Sequence, residues 1–407
     1  MSASRVRSAL AALVLGSALT AACTSNDSGS PGRQGGDRAV ANRPTPRFVG
    51  LKAHPQIAQP GLRPAPAAEA LTALTAVSRP PQKGRKLVLE RQVGGSWERV
   101  DAVRQGREGR AEFTAPYSIE GEPVVYRATV VGQGGHPSLS SKPQASDRWG
   151  EPDFSDEFDG NALDDTWSNR LQGYLPDSHR ACSKADDRAV GVSGGTVKLS
   201  VLLDPDRVGD RCASDEGNFA YRLNGHISTE QSRSFLYGYF AARVKFQHRR
   251  GQHGAFWLQV KSRAATTGPA TQTGSEVDVI EWFGHKHPSG GLTSFVYDYP
   301  TEAGRKTGGF VRKPERFGDD WASTFHVFSV EWTPRKYVFR IDGQRSYQTD
   351  RGVSGRPEFM ILSLLSSDYE IPHLGKDSRL PQTMAVDWVR HWPLSHSGVA
   401  PPVGQGS

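Results

Sequence analysis

From Gly195 to Trp392 the sequence falls into short runs of β-branched and aromatic residues, each closed by turn residues, with no long apolar helical period. The runs read GTVKLSVLL, HISTEQ, FLYGYFAARVKF, GAFWLQV, SEVDVIEW, LTSFVYDY, TFHVFSVEW, KYVFRIDG, EFMILSLL and MAVDWVRHW. A chain with many strands and no amphipathic helices must bury one sheet against another. Long strands in this number, with one face rich in Trp and Tyr, predict an all-β fold of two packed, curved antiparallel sheets, a jelly roll. Asp342-Gly343, between KYVFRI and QRSYQT, marks a hairpin turn.

A smaller set of runs precedes it: ALTALTAV, RKLVLERQV, SWERVDAV, RAEFTAP and PVVYRATVV, separated by PPQKG, GG, RQGREG and IEGEP. This spacing predicts a small immunoglobulin- or fibronectin type III-like sandwich over residues 46–140, with no catalytic constellation of its own. Tyr126 is either a core residue or the tyrosine of a corner motif. Residues 141–148 read as a linker, 149–395 as the large domain and 396–407 as a tail.

The N-terminus carries Arg5 and Arg7, an apolar run from Ala9 to Leu19, and small residues before Cys23. Residues 1–22 read as an export signal, too short for a comfortable membrane span. The string Leu19-Thr20-Ala21-Ala22-Cys23 resembles a bacterial lipobox, so Cys23 is the expected lipidation site and the membrane an expected partner. Ordinary cleavage after Ala22 would instead leave a secreted protein. Residues 23–45, rich in Ser, Gly and Pro, cannot form a core and read as a tether. In an exported chain the remaining cysteines, Cys182 and Cys212, are expected to form one disulfide. The formal charge of +7 is spread along 407 residues without a basic block interleaved with aromatics, which argues against nucleic acid as a partner.

The chemistry concentrates in GSEVDVIEWFG, Gly274 to Gly284. In a regular strand Glu276 and Asp278 share a face and Glu281 takes the other. An inserted residue, a β-bulge at Val279 and Ile280, would bring Glu281 round to join them. Three acids on one face are otherwise simply solvated charge on an exposed strand.

Several segments together resemble glycoside hydrolase family 16, whose fold is a concanavalin-like β-jelly roll. FSDEFDGNALDDTW is similar to the family's opening, and YGYFAARVKF, AFWLQV, FHVFSVEWTP and MAVDWVRHW to four of its strands. SEVDVIEW matches its bulged E-x-D-x-x-E signature. The resemblance spans about Trp149 to Trp392. It implies a retaining double displacement with Glu276 as nucleophile, Glu281 as acid/base and Asp278 as their proton-sharing neighbour.

The resemblance also implies that His253, Trp257 and Tyr297 line the sugar groove, though Trp257 could instead fill the core. Trp282 reads as core and His326 as structural. Where glucanases of the family read W-P-A-F-W, this chain has His253-Gly254-Ala255-Phe256-Trp257, and Tyr297 stands near the place of a family histidine. The loop HRRGQH admits an anionic glycan if it borders the cleft, and is otherwise a solvated hairpin tip. Glu157 and Asp387 match carboxylates of a structural Ca²⁺ site often found in the family; no cofactor is expected for catalysis. The expected activity is endo-hydrolysis of a polysaccharide, β-1,3- or mixed-linked β-glucan, by a monomer at the extracellular face of the membrane or secreted. The alternatives are a transglycosylase on the same site and a non-catalytic carbohydrate-binding or adhesion protein.

Overall fold

The computed structural model describes residues 45–132, 137–318 and 320–394. The export signal, the tether and Cys23 lie outside them, as does the tail.

The first strands are β1 (Phe48–Ala58), β2 (Leu71–Arg79), β3 (Lys86–Val93), β4 (Ser96–Arg104), β5 (Arg110–Ala115) and β6 (Val125–Val130). One antiparallel sheet runs β1-β2-β5 and the other contains β6-β3-β4. Alternation builds the core between them: Tyr126, Ala128 and Val130 point inward from β6 to meet Leu74, Leu87, Leu89 and Phe113. The Tyr126 hydroxyl donates to the Pro116 carbonyl at 2.7 Å, ten residues back, as in a tyrosine corner. Gln144–Ala145, in the middle of the expected linker 141–148, pairs with Tyr126 and Val125 as a short sandwich strand. The polar composition of SSKPQAS disguised it, because an edge strand with one solvated side needs few apolar residues.

The second set comprises β7 (Val197–Leu203), β8 (Arg222–Ser228), β9 (Gly238–Lys245), β10 (His253–Val260), β11 (Ser275–Trp282), β12 (Leu292–Asp298), β13 (Arg305–Phe310), β14 (His326–Thr333), β15 (Lys336–Ile341), β16 (Gln344–Thr349), β17 (Glu358–Leu365) and β18 (Gln382–Trp392). They form two antiparallel layers, β13-β12-β11-β10-β17-β8 and β7-β18-β9-β14-β15-β16. Strand β8 joins them, its residues 222–224 pairing with β7 and 225–228 with β17. Gly225 stands at the change of partner, where a Cβ would lie 2.7 Å from the Ala189 carbonyl oxygen and 2.9 Å from Leu199. Asp342 and Gly343, both at positive φ, make the predicted hairpin turn between β15 and β16.

The layers share a core in which Trp282 meets Phe246, and Phe246 meets Phe328. Trp282 is therefore core, as its place after Glu281 implied. His326 is buried in the layer away from the catalytic acids and pairs with Asp342 at 2.7 Å, a structural role. Cys182 and Cys212 form a disulfide that ties the Arg211–Ala220 hairpin beside β8.

The sandwich docks on the layer remote from the acids. Arg340 donates to Tyr239 and Glu112 at 3.2 Å and lies 3.2 Å from His54, whose other ring nitrogen is 2.8 Å from the Tyr239 hydroxyl. Glu331 takes Lys52 and the same hydroxyl. Trp149 packs edge-on against Tyr239 and donates to the Ala53 carbonyl. Arg340, Glu331, Lys52 and Glu112 are each bound to an opposite charge, so their burial there is tolerable.

Candidate active site

Strand β11 carries the acids because its pairing is interrupted twice in the same place. Against β12, Asp278 faces Phe295 and Glu281 faces Thr293; against β10, Asp278 faces Trp257 while Ile280 faces Phe256. Val279 is the extra residue, a bulge at the position the odd offset required. It turns Glu281 to the face of Glu276 and Asp278, while Val277 and Ile280 remain in the core.

That face has rows set by register. Tyr297, Glu276 and Gln259 are cross-strand neighbours; Phe295, Asp278 and Trp257 form the next row; Thr293, Glu281, Ala255, Ser363 and His226 the third. Glu276 is half-buried and accepts from Gln259 at 3.4 Å. Glu281 is buried and accepts from the Thr293 hydroxyl at 2.8 Å. Asp278 is buried, with one carboxyl oxygen that finds no partner among the described residues.

Burial, with Glu276 and Glu281 adding their charge, pushes the Asp278 carboxyl well above the usual carboxylate range; Lys306 pulls the other way. Burial and Glu281 also raise Glu276, against Gln259, Arg170 and Arg263. Asp278 is thus the member of the cluster best suited to hold a proton at neutral pH, leaving Glu276 free to ionise.

The groove candidates all come to this face. Tyr297 lies opposite Glu276, and burial, with the charge of Asp278, Glu276 and Glu281 added, raises its pKa. Trp257 is half-buried, donates to Ser363 at 3.1 Å and stacks on His226 with ring centroids 6.1 Å apart. His253 is buried, its Nε2 4.0 Å from Glu281 and its Nδ1 2.7 Å from Glu370. The HRRGQH loop divides: His248 and Arg249 are exposed, whereas Gly251, Gln252 and His253 are buried.

Sequence reasoning missed Glu370, Arg170, Arg180, His226 and Lys306. Arg170 approaches Trp257 at 5.8 Å and bonds Gln259 and Glu230. Arg180 lies in the field of Glu370, Tyr369, Asp368 and Glu281, and its buried Nη1 has no partner among the described residues. Lys306 sits over Phe295 at 3.6 Å. None of these stands in a local motif. Strand alternation through RKTGGF could have placed Lys306 on the cleft face opposite Tyr297, but nothing local marks the others.

The calcium expectation does not fit the residues present. Asp387 takes the Arg243 guanidinium and the Ala65 N–H, and Glu157 takes Arg390 at 3.4 Å and the Ala67 N–H at 3.1 Å. Calcium requires several oxygen ligands, but here guanidinium and amide donors are aimed at both carboxylates. Among the described residues no three His, Cys, Asp or Glu side chains gather as a metal site. Arg243 also donates to the Gln59 and Arg63 carbonyls, so a strap from the sandwich covers the position.

Residues 150–394 match the family model described as "Beta-porphyranase A-D, GH16 domain". The chain is similar to glucan endo-1,3-beta-glucosidase A1 of Niallia circulans, 25% identical over 262 residues, which covers 58% of this chain and 37% of that protein. It is also similar to beta-porphyranase E of Zobellia galactanivorans, 25% identical over 262 residues, covering 59% of this chain and 86% of the relative. The chain thus spans little more than a third of the length of the first. Among solved structures, the laminarinase from Rhodothermus marinus superposes with a TM-score of 0.48 at 19% identity, over 60% of this chain and 97% of that one. With the family model spanning well over half of the sequence, the chain belongs to glycoside hydrolase family 16.

Proposed function

We propose that the protein cleaves a β-linked polysaccharide internally with retention of configuration, and that its substrate is an anionic galactan of the porphyran type. The observation that carries the first part is the Val279 bulge, which gathers Glu276, Asp278 and Glu281 on one face. Glu276 attacks the anomeric carbon as Glu281 gives its proton to the departing glycosidic oxygen; Glu281 then takes a proton from water, whose oxygen displaces Glu276. Asp278 keeps the shared proton near Glu276 and makes that carboxylate a better leaving group in the second step.

The substrate class is supported by the cations around the acids, Arg170, Arg180, Arg263 and Lys306, which a neutral glucan does not need. The matching family model and one relative bear the name porphyranase, in line with that charge. The similarity to a glucan endo-1,3-beta-glucosidase supports β-glucan as the second reading. The test is a panel of porphyran, agarose, carrageenan, laminarin and lichenan with analysis of released oligosaccharides. Cleavage of porphyran alone supports the first reading, and cleavage of laminarin or lichenan alone replaces it with the second. Export and lipid attachment at Cys23 belong to the same proposal. Wild type that behaves like Cys23→Ser in detergent partition would remove the anchor.

A further inference from the structure

We infer that His253, held by Glu370, is a positioning residue that acts through Glu281 by placing an imidazolium beside the carboxylate formed when the leaving group takes its proton. The inference rests on the retaining reading above and adds a component to it.

The geometry is a chain of contacts on the cleft side of the catalytic sheet. Glu370, buried just beyond β17, is fixed by the Ser367 N–H at 3.1 Å and accepts from His253 Nδ1 at 2.7 Å. That bond orients the ring and leaves Nε2 toward Glu281 Oε1 at 4.0 Å, while Phe283 stacks on the ring at 5.2 Å. The facing charged and titratable groups are Glu281 on β11, Glu370, Arg180 and, on β8, His226. Burial works against a charged imidazole, yet Glu370 and Glu281 outweigh it and Arg180, so the pKa of His253 stands above its ordinary 6.5. Glu281 Oε2 is already held by Thr293, so the His253 side is where a second interaction with this carboxyl can change.

The consequence follows the protons. In the first step the O–H bond of Glu281 breaks and its proton passes to the glycosidic oxygen as that oxygen leaves the anomeric carbon and Glu276 bonds to it. His253 keeps its own proton throughout and faces the new carboxylate at short range. The imidazolium thus faces the charge that Glu281 acquires when a poor leaving group takes its proton.

The test uses the 4-methoxyphenyl and 2,4-dinitrophenyl glycosides of the shortest oligosaccharide released from the polysaccharide cleaved in the panel. His253→Gln should lower kcat/KM on the methoxyphenyl glycoside about 30-fold and on the dinitrophenyl glycoside no more than about 3-fold, because a good leaving group needs little protonation. The basic limb of kcat/KM should also move in this variant, because the imidazolium that faces the acid/base is gone. Glu370→Gln should repeat both effects in weaker form, and in the free protein should lower the pKa of the His253 ring followed by NMR. Equal losses on the two glycosides, an unmoved basic limb, or an unchanged His253 titration in Glu370→Gln would overturn the inference. A wild-type product of inverted configuration would instead remove the retaining reading itself, and this inference with it.

Discussion

The two layers of the jelly roll bury charge in opposite ways. On the layer that docks the sandwich, Arg340, Glu331, Lys52, Glu112, Arg243 and Asp387 are bound to opposite charges. On the other, Asp278 is buried but has an oxygen with no partner among the described residues, and its neighbours Glu276 and Glu281 are acids of its own sign. A paired buried charge fastens two surfaces together; a like-charged cluster costs stability and is retained for the protons it can hold. The contrast separates glue from chemistry without reference to any motif.

Breaking each side should therefore give different losses. Glu276→Ala should reduce turnover of the polysaccharide to background, and Glu281→Ala should reduce it about 10²–10⁴-fold, with the thermal midpoint of both unchanged or raised because repulsion is relieved. Rates with melting curves on the same preparations check this. Asp278→Asn should leave binding intact and lower kcat on the order of 10²-fold. A lost affinity with normal kcat would instead assign Asp278 to substrate binding.

On the docking layer, Arg340→Met removes the cation shared by Glu112, Tyr239 and His54. It should cost about 3 kcal/mol in denaturant unfolding while kcat/KM stays within error of wild type, because breaking one partner strands buried acceptors. A stability loss with a parallel loss of kcat would show that the layers are coupled and blur the distinction.

A further difference lies in pH dependence. Glu358, fully buried on β17 beneath the catalytic strand, accepts from the Ser275 N–H, and burial, with a contribution from Glu276, pushes its carboxyl up to about 8 from an ordinary 4.5. The folded chain keeps a proton that the unfolded chain gives up above pH 4.5. Its contribution to stability is thus fully present below 4.5 and is lost as pH rises through that window to about 8. Glu358→Gln should flatten this part of the stability profile, measured by chemical unfolding between pH 5 and about 8.

Much of this was legible in the sequence where the signal is local. The odd offset from Asp278 to Glu281 required the bulge found at Val279, and Asp342-Gly343 required a turn of positive φ. What stayed hidden depends on contacts across the chain. Glu370 reaches His253 over 117 positions, and Arg243, an ordinary strand residue in YGYFAARVKF, meets Asp387 over 144. The strap around residues 59–67 read as part of the sandwich, so nothing signalled that its amides would point at Glu157 and Asp387. The end of the sandwich was misplaced because Gln144–Ala145 is a short polar edge strand.

The most direct test of the central claim is the stereochemistry of azide rescue. With an activated aryl glycoside, Glu276→Ala plus azide should yield a glycosyl azide of inverted configuration by proton NMR, and Glu281→Ala one of retained configuration, because only the second variant still forms the glycosyl-enzyme. Interchanged configurations would reverse the two roles, and full activity of both variants without azide would contradict the account of the buried acids altogether.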